Sequence, residues 1–179
     1  MEQLVMRWEK KRTPVCPDAP DWGDLTCRTF DGSDSDIDKW LEIVKCGLTG
    51  EKMTPEFFRT CMYEHGDPEF DKFFIVEKDG DPVATLAVIP HYDKKEGYIH
   101  MVACRDEYRG RGVGTRLNVE ALRALHRAGL ETAYLTTDDF RIPAIRSYLR
   151  AGFFPDLIDD EHRARWDAIF EIINSGERV

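Results

Sequence analysis

Apolar and polar positions alternate along this chain in two periods. Leu4 to Trp8 and Leu25 to Phe30 read as strands, and the three prolines, one glycine and three aspartates of residues 12–24 suit an irregular loop between them. Ile37, Trp40, Leu41, Val44 and Leu48 then recur at helical spacing behind Ser33 and Ser35, which predicts a capped amphipathic helix ended by Gly47 and Gly50. Thr54 and Pro55 open a second short helix whose apolar face is Phe57, Phe58, Cys61 and Met62. Phe73 to Val76 and Val83 to Ile89 flank Asp79-Gly80, a pair that tolerates the positive φ of a tight hairpin turn. The polar run from His91 to Gly97 leads into a third antiparallel strand, Tyr98 to Ala103.

Beyond it, Leu117, Ala121, Leu125 and Ala128 mark a helix that starts at Gly114 and stops at Gly129, and Thr132 to Thr137 is a strand. A helical crossover between strands makes them parallel, so the sheet is mixed. Pro143 to Ala151 is a further helix with Gly152 as its stop, Phe153-Phe154 begins a last short strand, and His162 to Asn174 presents Trp166, Ile169, Phe170 and Ile173 as the face of a terminal helix. The expected fold is α/β (α+β), with a mixed, mostly antiparallel sheet flanked by helices. One domain is expected over residues 1–179: a core of about 25–155, an N-terminal strand and loop over 1–24, and a C-terminal helical extension over 156–179.

Composition narrows the function. With 42% hydrophobic and 33% charged residues the chain reads as a soluble globular domain, and at 179 residues it buries about 70% of its unfolded surface without disulfides or metals. A net charge of −9 argues against nucleic acid or an anionic membrane surface as the main partner. Five scattered cysteines form no zinc pattern and suit a reducing cytoplasm, and no metal is expected. No apolar run reaches the ~20 residues of a membrane span.

One window breaks the acidic pattern. Met101 to Leu130 holds six arginines (Arg105, Arg109, Arg111, Arg116, Arg123 and Arg127) against Asp106, Glu107 and Glu120. Within it, Arg109-Gly110-Arg111-Gly112-Val113-Gly114 lies between a strand and a helix, where free backbone N–H groups and the helix dipole make an anion site. The plain alternative is that the glycines end a strand and the arginines solvate a helix. Walker A and dinucleotide fingerprints do not fit, since the first needs Gly-Lys-Ser/Thr and the second a glycine where Thr115 stands.

The spacing R-x-x-G-x-G at Arg109, Gly112 and Gly114 resembles the pyrophosphate-binding signature of the GNAT acetyltransferase superfamily. A second segment, Arg141 to Phe153, resembles that family's N-x-x-A-x-x-x-Y followed by glycine and phenylalanine, with Ala144 and Tyr148 in register and Arg141 in place of the usual asparagine. Thr136 to Pro155 with His162 and Arg165-Trp166 resembles a subset of the family that includes the mycothiol synthases, which carry two such domains where this chain has room for one. The family commonly ends in a long antiparallel strand pair, whereas this chain reads as helical after Pro155.

The resemblance implies a splayed parallel strand pair and acetyl-coenzyme A as co-substrate. Its pyrophosphate would lie on the N–H groups of Arg111, Gly112, Val113, Gly114 and Thr115, beside Arg109 and Gly110. Its pantetheine would run along Val102, Ala103 and Cys104, near Arg141 and Ala144. Arg141 could instead reach a phosphate or pair with Asp138 or Asp139. Direct attack by an amine needs an oxyanion stabiliser and a proton for the thiolate, and Tyr148 matches the family's general acid. For a base, Glu96 is the leading candidate, with Glu77, His100, Asp138 and Asp139 also open and a neutral amine needing none. One of Asp138 and Asp139 is also a candidate N-cap before Pro143. Cys104 has no histidine or lysine placed to activate it and reads as a packed strand residue. The expected activity is N-acetylation of a primary amine on a small, cationic or neutral molecule; a non-catalytic acyl-coenzyme A sensor stays open beside it, as does a second copy of the chain as partner.

Overall fold

The computed structural model describes residues 2–175. Strands β1 (Leu4–Glu9), β2 (Thr26–Thr29), β3 (Phe73–Lys78), β4 (Asp81–His91), β5 (Glu96–Cys104), β6 (Thr132–Thr137) and β7 (Phe154–Pro155) form one sheet in the order β2-β3-β4-β5-β6-β1-β7. All neighbours are antiparallel except β5 and β6. The helices are α1 (Asp34–Val44), α2 (Pro55–Tyr63), α3 (Val113–Arg127), α4 (Ile142–Arg150) and α5 (Asp160–Ser175).

Alternation along the strands feeds two cores. Leu4, Met6 and Trp8 of β1 pack with Leu117, Leu125, Ile145 and Trp166 from α3, α4 and α5 on one face. On the other face Phe73, Ile75, Ala87 and Ala103 meet Trp40, Leu41, Phe58 and Met62 from α1 and α2. Phe30 stacks on Phe73 there at 4.3 Å. Ser33 caps α1 by accepting the Asp36 N–H, as its position predicts. Asp79 and Gly80 both adopt positive φ in the β3–β4 hairpin.

Three features depart from the pattern read along the chain. First, α1 does not stop at Gly47. It continues as a π-helical turn, Lys45–Thr49, which ends at Gly50 with φ +76. Gly47 packs instead on β5, where a side chain would stand 3.7 Å from the Ala103 Cβ. Second, β1 and β2 lie far apart in the sheet: β1 sits between β6 and β7, and β2 is the opposite edge. The loop between them crosses α3, held by Arg123 donating to the Pro17 carbonyl (3.0 Å) and Arg116 to the Trp22 carbonyl (3.2 Å). Third, neither Asp138 nor Asp139 caps α4. Arg141 occupies the cap position, where its side chain caps no backbone N–H of the helix, and the two carboxylates are engaged elsewhere: Asp138 accepts from Gln3 and Arg141 while Asp139 accepts from Arg165.

Candidate functional site

The parallel pair of β5 and β6 is short. Glu96, Gly97 and Tyr98 oppose Thr132, Ala133 and Tyr134, and then the strands part, β5 staying with β4 as far as Cys104 and β6 with β1 as far as Thr137. A β-bulge marks the parting. Thr85 pairs with Ala103 but Ala87 with His100, so Met101 and Val102 together oppose Leu86, and Met101 takes φ +51. That conformation costs a non-glycine residue about 1–2 kcal/mol, and the extra residue breaks the ladder at this point.

The opening is a cleft of about 170 Å³. Its walls are Tyr98, His100, Met101 and Val102 from β5, Thr136 and Thr137 from β6, and Arg141, Ala144 and Tyr148 of the α4 segment, with Gln3 and Leu48 at the sides. A larger groove, about 790 Å³, lies outside α2 among Phe30, Phe58, Tyr63 and Phe70. It includes none of the glycine-loop or cleft residues and is a surface feature.

Beyond the end of β5, Gly110 (φ +73) and Gly112 (φ +75) turn the backbone into α3. Gly112 is the helix cap, and no side chain caps the first turn. The N–H groups of Val113, Gly114 and Thr115 therefore have no intrahelical acceptor and no side-chain cap, at the positive end of a fifteen-residue helix. A Cβ at Gly114 would stand 3.6 Å from the Ser147 Oγ, and Ser147 also accepts from the Asn118 Nδ2 at 2.9 Å. These contacts bring α4, which carries Ala144 and Tyr148, against the start of α3.

The residues bringing this geometry about also carry a family signature. Residues 37–153 match the Acetyltransferase (GNAT) family. The chain belongs to the GNAT family. Mycothiol acetyltransferase from Streptomyces griseus is 27% identical over 153 residues, 84% of this chain and 48% of that protein. The Streptomyces bingchenggensis protein of the same name is 37% identical over 90 residues, 49% of this chain and 29% of its own length. The chain thus spans at most about half of these curated relatives. A GCN5-related N-acetyltransferase from Sphaerobacter thermophilus superposes with a TM-score of 0.69 at 24% identity, over 86% of this chain and 48% of that one, which shows the GNAT fold.

Most arginines of the basic window in this GNAT chain are struts. Arg105 donates to the Pro82 carbonyl, Arg109 pairs with Asp106 and donates to the Cys46 carbonyl, and Arg116 and Arg123 hold the crossing loop. Arg111 lies over the Tyr108 ring at 5.3 Å and makes no ion pair among the described residues. The sign reversal seen in the sequence therefore has two causes, bracing and a cation left beside the glycines.

Tyr148 is 6% exposed, and burial pushes its phenol up to about 12, opposed by the positive charge of Arg141. Arg141 does pair with Asp138 (2.9 Å), and its Nη1 donates to the Gly47 carbonyl across the cleft mouth (3.2 Å). Glu96 stands at the closed end, where β5 and β6 still pair, 3.5 Å from Arg7, outside the cleft lining. Glu77 is committed to Arg28 and Lys39 on the far side of β4. His100 does line the cleft; its Nε2–H donates to the Cys61 carbonyl at 3.1 Å, and burial pulls its pKa down to about 4. It is thus neutral at pH 7, with Nδ1 the acceptor. Burial pushes the Cys104 thiol up to about 11, against a thiolate nucleophile. The bulge at Met101 and the π-turn that brings Leu48 to the cleft left no mark in the sequence. Positive φ at a methionine has no compositional cue.

Proposed function

We propose that this chain transfers the acetyl group of acetyl-coenzyme A to a primary amine of a small molecule by direct attack. One observation carries the reading: the splayed strands and Tyr148 line one cleft, and the helix that carries Tyr148 packs through Ser147 against the uncapped glycine start of α3. The GNAT family supplies the acyl donor. In this reading Val113, Gly114 and Thr115 hold the pyrophosphate through backbone N–H groups, helped by Arg111, and the free edge of Val102, Ala103 and Cys104 pairs with the pantetheine amides as an added strand would.

The amine nitrogen attacks the thioester carbonyl carbon, the C–S bond breaks, and the sulfur takes its proton from Tyr148. The surplus proton on nitrogen leaves through water and returns to the phenolate, so the products are the amide and coenzyme A. Glu96 reaches that proton only through water, given its distance from the cleft lining and its bond to Arg7. A phenol near 12 facing a thiol near 8.5 makes full transfer uphill by about 5 kcal/mol, so Tyr148 acts first as a hydrogen-bond donor to the departing sulfur.

The relatives' name supports a small-molecule acceptor, the charge of −9 supports a cationic one, and five unpaired cysteines support a reducing cytoplasm. Calorimetric titration of acetyl-coenzyme A, followed by thiol release over a panel of amines, tests the reading. Micromolar binding should weaken at least tenfold in Arg111→Glu, the worth of one charge-assisted contact. Turnover should fall by about 10²–10⁴ in Tyr148→Phe with binding retained. Tight binding without turnover on any amine would instead identify a sensor.

A further inference from the structure

Arg141 stands where the resembled motif has asparagine, and its side chain is strung across the cleft. Its Nε donates to one oxygen of Asp138 (2.9 Å), whose other oxygen accepts from Gln3 of the β1 segment (3.2 Å). Its Nη1 donates to the Gly47 carbonyl (3.2 Å) in the π-turn. A chain of polar contacts thus runs from the N-terminal strand, over the end of β6, to the segment that places Leu48 in the cleft. A π-turn is a rare, locally strained form of helix, and this one has its middle carbonyls held from both sides, by Arg141 and by Arg109 at the Cys46 carbonyl (3.1 Å). Asparagine is too short to make both contacts, and lysine lacks the planar fork that serves two partners at once.

The same guanidinium lines the cleft with Tyr148, seven residues and two helical turns further on. Arg141 is the positive charge that opposes the burial of that phenol.

We propose that Arg141 is a positioning residue for the acyl transfer: it fixes the π-turn, and with it Leu48, as one wall of the cleft in which the amine must approach, and its charge stabilises the anionic character Tyr148 develops while donating to the departing sulfur. This rests on the acyl-transfer reading above. The bond changes are those already given; Arg141 itself neither gains nor loses a proton.

The test compares Arg141→Asn and Arg141→Lys with the parent chain. Amide hydrogen exchange across Lys45 to Gly50 should quicken in both variants, since neither bridges Asp138 and Gly47. With the best amine of the panel, Arg141→Asn should lower kcat about tenfold, the size of one charge-assisted contact, and raise the amine KM. Arg141→Lys should recover kcat and keep the raised KM. Because the charge acts through Tyr148, adding Arg141→Asn to Tyr148→Phe should cost no further kcat. Unchanged exchange over the π-turn, or additive losses in the double variant, overturns the proposal. So does a loss confined to coenzyme affinity, which would make Arg141 a phosphate ligand. A parent chain that turns over no amine removes the underlying reading and this role with it; turnover sensitive to Tyr148→Phe and indifferent to Arg141→Asn sinks this inference alone.

Discussion

At Gly97 a side chain of α3 lies close against the sheet backbone, and replacing the glycine with alanine tests that contact. A Cβ there would overlap Leu125 Cδ2 and stand 3.3 Å from Val88 Cγ1 and 3.4 Å from Leu130 Cδ1. Carbon atoms rest at about 3.5–4.0 Å, so Leu125 must retreat by more than about 1 Å. It has nowhere to go: Leu125 is fully buried, and Val88 and Leu130 are each 1% exposed. Overpacking of this kind costs about 1–3 kcal/mol, which for a chain of this length lowers Tm by about 3–10 °C. Urea unfolding followed by tryptophan fluorescence measures it. The same contact sets a second outcome. Leu125→Ala alone should cost about 2–5 kcal/mol by opening a cavity, while in the double variant the new methyl fills part of that space. The two losses should then fall short of additivity by at least about 1 kcal/mol. Strict additivity, or a loss below about 0.5 kcal/mol in Gly97→Ala, would refute the close-approach account.

Other expectations follow from single sites. His100 is held neutral, with its pKa pulled to about 4 by burial, whereas the unfolded chain binds a proton near 6.5. Its contribution is therefore present above pH 6.5 and lost as pH falls toward 4, up to about 3 kcal/mol; His100→Gln should flatten the acid limb of urea stability in that window. Asp36, nearly buried, takes both terminal nitrogens of Arg28 at 2.7 and 2.8 Å. Because Arg28 is part-exposed, Asp36→Asn should cost about 2 kcal/mol rather than the 3–5 of a fully buried pair, read from the urea midpoint. Gly112→Ala, at φ +75 with the Arg116 Nη2 at an ordinary 3.9 Å, should lose about 1–2 kcal/mol of stability through the backbone alone, and on the acyl-transfer reading calorimetry should find weaker acetyl-coenzyme A binding, because the cap turn aims the N–H groups proposed to hold the pyrophosphate.

What could be read along the chain was local. The Asp79-Gly80 hairpin, the glycine entry to α3 and the Thr132–Thr137 strand each declare themselves within a few residues, and the motif at Arg109, Gly112 and Gly114 falls at the start of α3 as its spacing requires. Contacts between distant segments left no such trace. Nothing near Leu4 indicates that it opposes Thr137, or that the polar loop after β1 braces α3. Arg141 was visible as a departure from a motif, but its second partner is the Gly47 carbonyl, a backbone atom with no signature in side-chain types. Glu96, in the polar run before the strand, and His100, within it, both stand in the sequence as candidate bases, with Glu96 leading. Their separation, one at the closed end and one in the cleft, depends on where β5 leaves β6, which is after Tyr98 and just ahead of the bulge at Met101 and Val102.

The insertion of β1 between β6 and β7 also bears on how the protein is made. Leu4–Glu9 leaves the ribosome before every element it packs against, and its apolar side, Leu4, Met6 and Trp8, has no place to bury until Thr132–Thr137 has been synthesised. During that interval the segment is a hydrophobic strand with both edges unpaired, the form most prone to pair with a neighbouring chain. Its closure is the longest-range step in the sheet, and long-range pairing is slow. Expression yield and refolding efficiency should therefore respond to changes at Met6 or Trp8 more strongly than the final stability does, and a co-expressed holding chaperone should narrow the difference.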